Sequence, residues 1–159
     1  MMHNWFTCKI RYEKTMENGM NKKVTEPYLV DALSFTEAES RIIEEMTPFF
    51  QGEFVVAGVA RANYEEIFPS DEECADRWFK CKLWFITLDE KTGVEKRTAS
   101  NVLVQASDLR DAIKKLDEGM KDTLADYVID SVAETDIMDV YPYEADPDVK
   151  PEFNDADRR

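Results

Sequence analysis

The chain writes one pattern twice. "WFTCKIRY" (Trp5 to Tyr12) returns as "WFKCKLWF" (Trp78 to Phe85), 73 residues on. At that offset Phe6 meets Phe79, Cys8 meets Cys81, Lys9 meets Lys82, Lys23 meets Lys96 and Thr25 meets Thr98. One inserted residue then moves the offset to 74, where "YLVDA" (from Tyr28) meets "VLVQA" (from Val102), Ala38 meets Ala112 and Met46 meets Met120. The offset returns to 73 for "FVVAGVA" (from Phe54) against "YVIDSVA" (from Tyr127), and for "IFP" (from Ile67) against "VYP" (from Val140). A duplicated sequence has to fold by one plan twice. Two copies are too few for a solenoid, so the halves are expected to share a core across a pseudo-twofold axis.

Each half reads alike. Trp5–Tyr12 and Trp78–Thr87 alternate apolar and polar, the period of a strand. Polar, glycine-bearing stretches follow ("EKTMENGMNKK", "DEKTGVEKR") and read as hairpin loops leading to second strands over 24–32 and 98–105. Pro27 cannot donate to a ladder, which places its part of the second strand at an edge or a bulge. Ser34 followed by Glu37 forms a capping box, and Phe35, Ala38, Ile42 and Met46 then recur at helical spacing. In the second half Ser107 or Asp108 caps a helix with Leu109, Ala112, Ile113 and Leu116 on one face, and Gly119 marks a fraying end. Third strands follow, from Glu53 to Ala60 continuing towards Phe68, and from Asp126 to Ala133 continuing towards Tyr141. The connector "SDEECADRW" (Ser70 to Trp78) reads as a short capped helix.

The predicted class is α+β: internally duplicated β-β-α-β units, mostly antiparallel sheet, with the helices on one face. Residues 1–143 are read as a single domain of two repeats, 4–69 and 77–143, followed by an acidic, Pro- and Asp-rich flexible tail over 144–159.

Composition narrows what such a fold can do. Asp plus Glu number 34 against 20 Lys plus Arg, a net charge of −14 that disfavours non-specific binding to nucleic acid or anionic membrane. No apolar run approaches the roughly 18 residues that span a bilayer, and "MMHNWF" lacks the features of a secretory signal. The three cysteines have no metal-type spacing and read as reduced thiols, Cys8 and Cys81 as small core residues.

Catalytic motifs are absent, and the one histidine, His3, sits at a terminus. No catalytic residue, metal ligand or cofactor is therefore assigned, and an enzyme is the least expected class. Glu134, Asp136 and Asp139 match no cation-binding loop and read as an acidic surface. The repeated strand carries more. Alternation sends Phe6, Cys8, Ile10 and Tyr12, with Phe79, Cys81, Leu83 and Phe85, to the core. It sends Trp5, Lys9 and Arg11, with Trp78, Lys80, Lys82 and Trp84, to the other face. Rings beside cations on a sheet face are the composition of a single-stranded nucleic-acid or nucleotide platform, since rings stack on bases and cations meet phosphates. Lys22, Lys23, Lys96 and Arg97 extend the basic character. The competing reading makes Trp5 and Trp78 anchors of the pseudo-twofold or of a homodimer, with lysine stems lying over apolar surface.

The segments "NWFTCKIRYEKT", "VTEPYLVDALSFTEAESRIIEEM", "WFKCKLWFITLDEKTG", "NVLVQASDLRDAIKKLDEGM" and "DVYPY" resemble a domain-of-unknown-function family of gut anaerobic bacteria, their phages and mobile elements, over about residues 4–143. That resemblance implies no activity, cofactor or site residue. It implies a cytoplasmic bacterial or phage protein. The leading expectation is a non-catalytic binding protein for single-stranded nucleic acid or a nucleotide. The alternative is an acidic phage or mobile-element factor that binds a host protein through Glu37, Glu44, Glu45, Asp117, Glu118 and Asp122. No membrane partner is expected.

Overall fold

The computed structural model describes residues 4–143, so the tail expected over 144–159, and His3, lie outside the described residues. In chain order the elements are β1 (Trp5–Thr15), β2 (Asn21–Asp31), α1 (Phe35–Met46), β3 (Phe54–Ala62), β4 (Glu66–Phe68), β5 (Arg77–Leu88), β6 (Glu95–Ala106), α2 (Leu109–Met120), β7 (Asp126–Glu134) and β8 (Val140–Tyr141). The fold is α+β, with two four-stranded mixed sheets of like arrangement, ordered β3-β1-β2-β8 and β4-β6-β5-β7, each packed against a helix. The chain divides into two compact units. Among the described residues, unit 1 is 4–62 with 139–143, and unit 2 is Asn63–Met138.

Each helix is started by the same device. Ser34 Oγ accepts from the Glu37 N–H, and Glu37 accepts from the Leu33 N–H. Of the two caps expected for α2, Asp108 is the one used: its carboxylate accepts from the Asp111 N–H, and Asp111 accepts from the Ser107 N–H. These bonds satisfy donors that a helix start leaves open. The buried residues of α1 are Ala38, Ile42 and Met46, and those of α2 are Ala112, Leu116 and Met120. They close over Phe6, Cys8, Ile10 and Val30 in unit 1, and over Phe79, Cys81, Leu83 and Val104 in unit 2. Phe35, Leu109 and Ile113 were expected on these buried faces but are exposed. Phe35 and Leu109 are the first residues of their helices, where a side chain leans back over the helix start and stays partly open to water; Phe35 still meets Phe6 of β1 edge-on, with ring centroids 5.0 Å apart.

The strand pairings correct the sequence alignment. β1 pairs with β2 from Trp5–Asp31 to Thr15–Asn21, and β5 pairs with β6 from Arg77–Ala106 to Leu88–Glu95. Thr25 lies opposite Arg11, and Ala99 opposite Trp84, so Thr25 corresponds to Ala99 and Lys23 to Arg97. The inserted residue therefore sits in the hairpin turn, before Lys23. Gly19 and Gly93 hold matching turn positions at φ 84° and 71°, a region that favours glycine. Pro27 lies where β2 is paired only to β1, since β8 covers Leu29 and Val30 alone, which agrees with its missing donor.

The largest departure is at the ends of the third strands. β3 does not continue to Phe68, nor β7 to Tyr141. The chain breaks after each, and a short strand pairs in parallel with the second strand of the opposite repeat. β4 runs beside β6 (Ile67 opposite Leu103), and β8 runs beside β2 (Leu29 opposite Val140). Each unit thus takes its fourth strand from the other repeat. The helix expected over Ser70 to Trp78 is also absent, leaving one turn closed by Ala75 N–H to the Glu72 carbonyl. Ser70 and Glu72 are drawn to Lys115, and the Ser70 N–H to Gln105. These anchors outweigh the small gain of so short a helix, whose nucleation is costly.

Candidate functional site

The outer face of β5, away from α2, brings aromatic and basic side chains together. Trp84 stands at mid-strand, between Ala99 of β6 and Val128 of β7. Those neighbours are small, and the indole is half-buried. The Lys82 ammonium lies 4.9 Å from the ring centroid, a cation–π contact. It also lies 3.8 Å from the Asp130 carboxylate, at a partly exposed ion pair. Asp130 is the extra residue of a bulge in β7 opposite Lys82–Leu83, and the equivalent bulge in β3 carries Ala57. A bulge re-aims its side chain, and here the acid meets the cation beside the ring. Lys80 is exposed one step along the same face, and Arg97 is exposed one step beyond Ala99.

Unit 1 carries a thinner version. Lys9 is exposed opposite Pro27 and Gly58. Arg11 takes the place of Trp84 and lines an open groove of about 610 Å³ with Glu13, Lys23, Glu53 and Val55. The groove holds cations and carboxylates together, and its rings, Tyr12 and Phe54, belong to the residues packed against the unit 1 core.

Trp5 and Trp78 are placed differently. They are 6% and 4% exposed, so neither presents a ring to solvent. The Trp78 carbonyl accepts from both the N–H and the hydroxyl of Thr135, which ties the start of β5 down. Of the seven residues picked out by the repeat, Lys80, Lys82 and Trp84 come together in unit 2, and Lys9 and Arg11 in unit 1, while the two strand-initial tryptophans are buried.

A polar group that alternation alone did not find lies on the helix side of unit 1. The hydroxyls of Tyr12 and Tyr28 donate to the two oxygens of Glu26, at 3.2 and 3.4 Å. Tyr28 stacks on Tyr141, with ring centroids 6.2 Å apart. Burial and Glu26 push the Tyr28 phenol well up, and burial with Asp139 and Glu45 pushes Tyr141 up to about 12. The phenols stay neutral donors throughout the physiological range, so this group is a hydrogen-bonded end to the core. Its signal was Tyr12, Glu26 and Tyr28 at one strand parity. Among the described residues no group of three or more His, Cys, Asp or Glu is placed to hold a metal ion, and no helix is long and apolar enough to cross a membrane.

A family model described as a domain of unknown function (DUF4494) matches residues 4–143. No curated protein matches the chain, and no solved structure does.

Proposed function

The chain belongs to the DUF4494 family, and from that premise we propose that it is a non-catalytic cytoplasmic binding protein that takes single-stranded nucleic acid or a nucleotide on the outer face of β5. The observation that carries this reading is the half-buried Trp84 ring with Lys82 at 4.9 Å, between Ala99 and Val128. A base stacked on the indole gains about 1–3 kcal/mol. Lys82, Lys80 and Arg97 then meet phosphate, and Asp130 sets Lys82 beside the ring. The net charge of −14 keeps such binding weak for duplexes and strongly salt-dependent.

Titration of the full chain with oligothymidylate, oligoadenylate and single nucleotides at low salt tests it through tryptophan fluorescence. Quenching is expected to come from Trp84 and to vanish in Trp84→Leu, with Lys82→Gln weakening binding several-fold. Unchanged fluorescence with every one of these ligands rejects the reading.

One observation supports a second reading, an acidic phage or mobile-element factor of gut anaerobes that occupies a basic groove on a host protein. The last turns of both helices lack a cation, and Glu44, Asp117 and Glu118 are exposed there. Salt-sensitive capture of a host protein, lost on neutralising those three carboxylates, would favour it over the first.

A further inference from the structure

β3 and β7 occupy equivalent places, outermost in their sheets among the described residues. Their chemistry differs. β7 carries Asp126, Asp130 and Glu134, all exposed. Charges of this kind keep an edge strand from pairing with another chain. The only charge within β3 is Arg61, and the acidic bulge position of β7 is Ala57 in β3. Val55 is 49% exposed, and a groove of about 340 Å³ follows the helix side of the strand, lined by Phe35, Thr36, Glu39, Val56, Gly58 and Val59. An open edge beside a groove of mixed apolar and polar lining under a helix is a geometry that accepts an extended strand: main-chain hydrogen bonds give affinity, and alternate side chains fill the groove.

We infer that this edge takes β3 of a second copy of the chain, antiparallel about a twofold axis. The bulge selects the occupant. Phe54 and Val56 face α1 on one side of Ala57, and Val59 and Arg61 do so on the other, because the extra residue reverses the parity. A twofold centred on Gly58 would set helix-side residues opposite outer ones. Pairing Ala57 with Gly58 of the second copy avoids this. Val56 then meets Val59, Val55 meets Ala60, and Phe54 meets Arg61, each with its own face. An unrelated strand would have to reproduce the bulge, whereas β3 matches itself by symmetry. The charges agree: Arg61 meets the Phe54 ring instead of another cation, and Glu39 is the carboxylate in the groove that the incoming helix-side residues enter. In a chain of net charge −14, β3 is a stretch where two copies approach without opposed acids.

Sedimentation of the full chain across the micromolar range of dissociation constants, on the order of 10⁻⁶ M, tests the inference. A reversible dimer is expected. Ala57→Asp, which gives β3 the acid of β7, and Ala60→Lys should each weaken it at least tenfold, while Asp130→Ala leaves it unchanged. If Ala57→Asp loses its far-ultraviolet circular dichroism, Ala60→Lys, exposed on the outer face, decides the matter. A chain that stays monomeric at the highest concentration overturns the inference. So does a dimer indifferent to Ala60→Lys, or one that Asp130→Ala alone strengthens, since that contact would lie on β7.

Discussion

The two fourth strands make the same connection with different chemistry. In unit 2, β4 sets Phe68 against α2 where the helix carries Gly119; a Cβ on that glycine would stand 2.8–2.9 Å from three atoms of the Phe68 ring. In unit 1 the matching residues are Tyr141 and Glu45, and Glu45 helps push the Tyr141 phenol up, after burial and Asp139. The contrast runs through that end of the core. Tyr12, Glu26 and Tyr28 in unit 1 stand where unit 2 has Phe85, Ser100 and Val102. An apolar ring in the fourth strand is admitted by removing a helix side chain, whereas a phenol is admitted by keeping a polar one. The exchanged strand is therefore not interchangeable between units, although the backbone plan is one.

The sharpest way to break this contrast is Gly119→Ala. In an ordinary helix interior that change stabilises by about 1 kcal/mol. Here the new methyl enters the Phe68 ring, and overpacking costs about 1–3 kcal/mol. The net expectation is a loss of up to about 2 kcal/mol in urea unfolding, reversed to a gain when the change is made in a Phe68→Leu background. Glu45→Gly in unit 1 should cost about 1 kcal/mol from helix propensity. A stabilised Gly119→Ala would mean that the ring moves aside freely and that the glycine has no packing role.

This pair also shows where sequence stops being legible. Gly119 reads as a fraying end, because the ring that requires it belongs to the other repeat. Short strands of two and three residues have no alternation to read, and the parallel pairings Leu29–Val140 and Leu103–Ile67 join residues remote in sequence. The long elements were legible because alternation and caps are local: Phe6, Cys8, Ile10, Phe79, Cys81 and Leu83 are buried as the pattern requires. Lys23 against Lys96 misled because residue identity is weaker evidence than hairpin register, which the turn length sets. At the candidate site, alternation put Lys82 and Trp84 on one face, but Asp130 reaches them only through a bulge. It also put Trp5 and Trp78 on the lysine face, and which parts of a face are buried is a property of the whole molecule.

The units agree in one titration. Burial pushes the thiols of Cys8 and Cys81 from 9.0 up to about 11, with Glu39 adding to the effect at Cys8. The unfolded chain loses these protons first as pH rises. The stability tied to them is thus complete below about pH 9 and lost as pH climbs through 11. The urea midpoint should fall over that interval. Cys8→Ala and Cys81→Ala, though less stable at neutral pH, should each show a shallower fall. Equal slopes in wild type and both variants would mean that the thiols are not held away from water.

The smallest expected difference concerns the helix cation that holds the segment after each fourth strand. In unit 1, Arg41 donates to the carbonyls of Asp31 and Pro142 and lies 5.2 Å from the Tyr143 ring centroid. In unit 2, the equivalent Lys115 bonds Ser70 Oγ at 3.1 Å and pairs with Glu72 at 2.7 Å and Asp111 at 3.0 Å. A guanidinium can serve two carbonyls and a ring at once, whereas an ammonium works as a point charge. Arg41→Lys should therefore cost about 1 kcal/mol and raise hydrogen exchange at Leu29, whose N–H donates to the Asp139 carbonyl at the start of β8. Lys115→Arg should stay within about 0.5 kcal/mol of wild type, because its partners are carboxylates and a hydroxyl that either cation can meet. If Arg41→Lys left Leu29 as protected as before, β8 would be held by its ladder alone, and the two cations would be equivalent in role as well as in position.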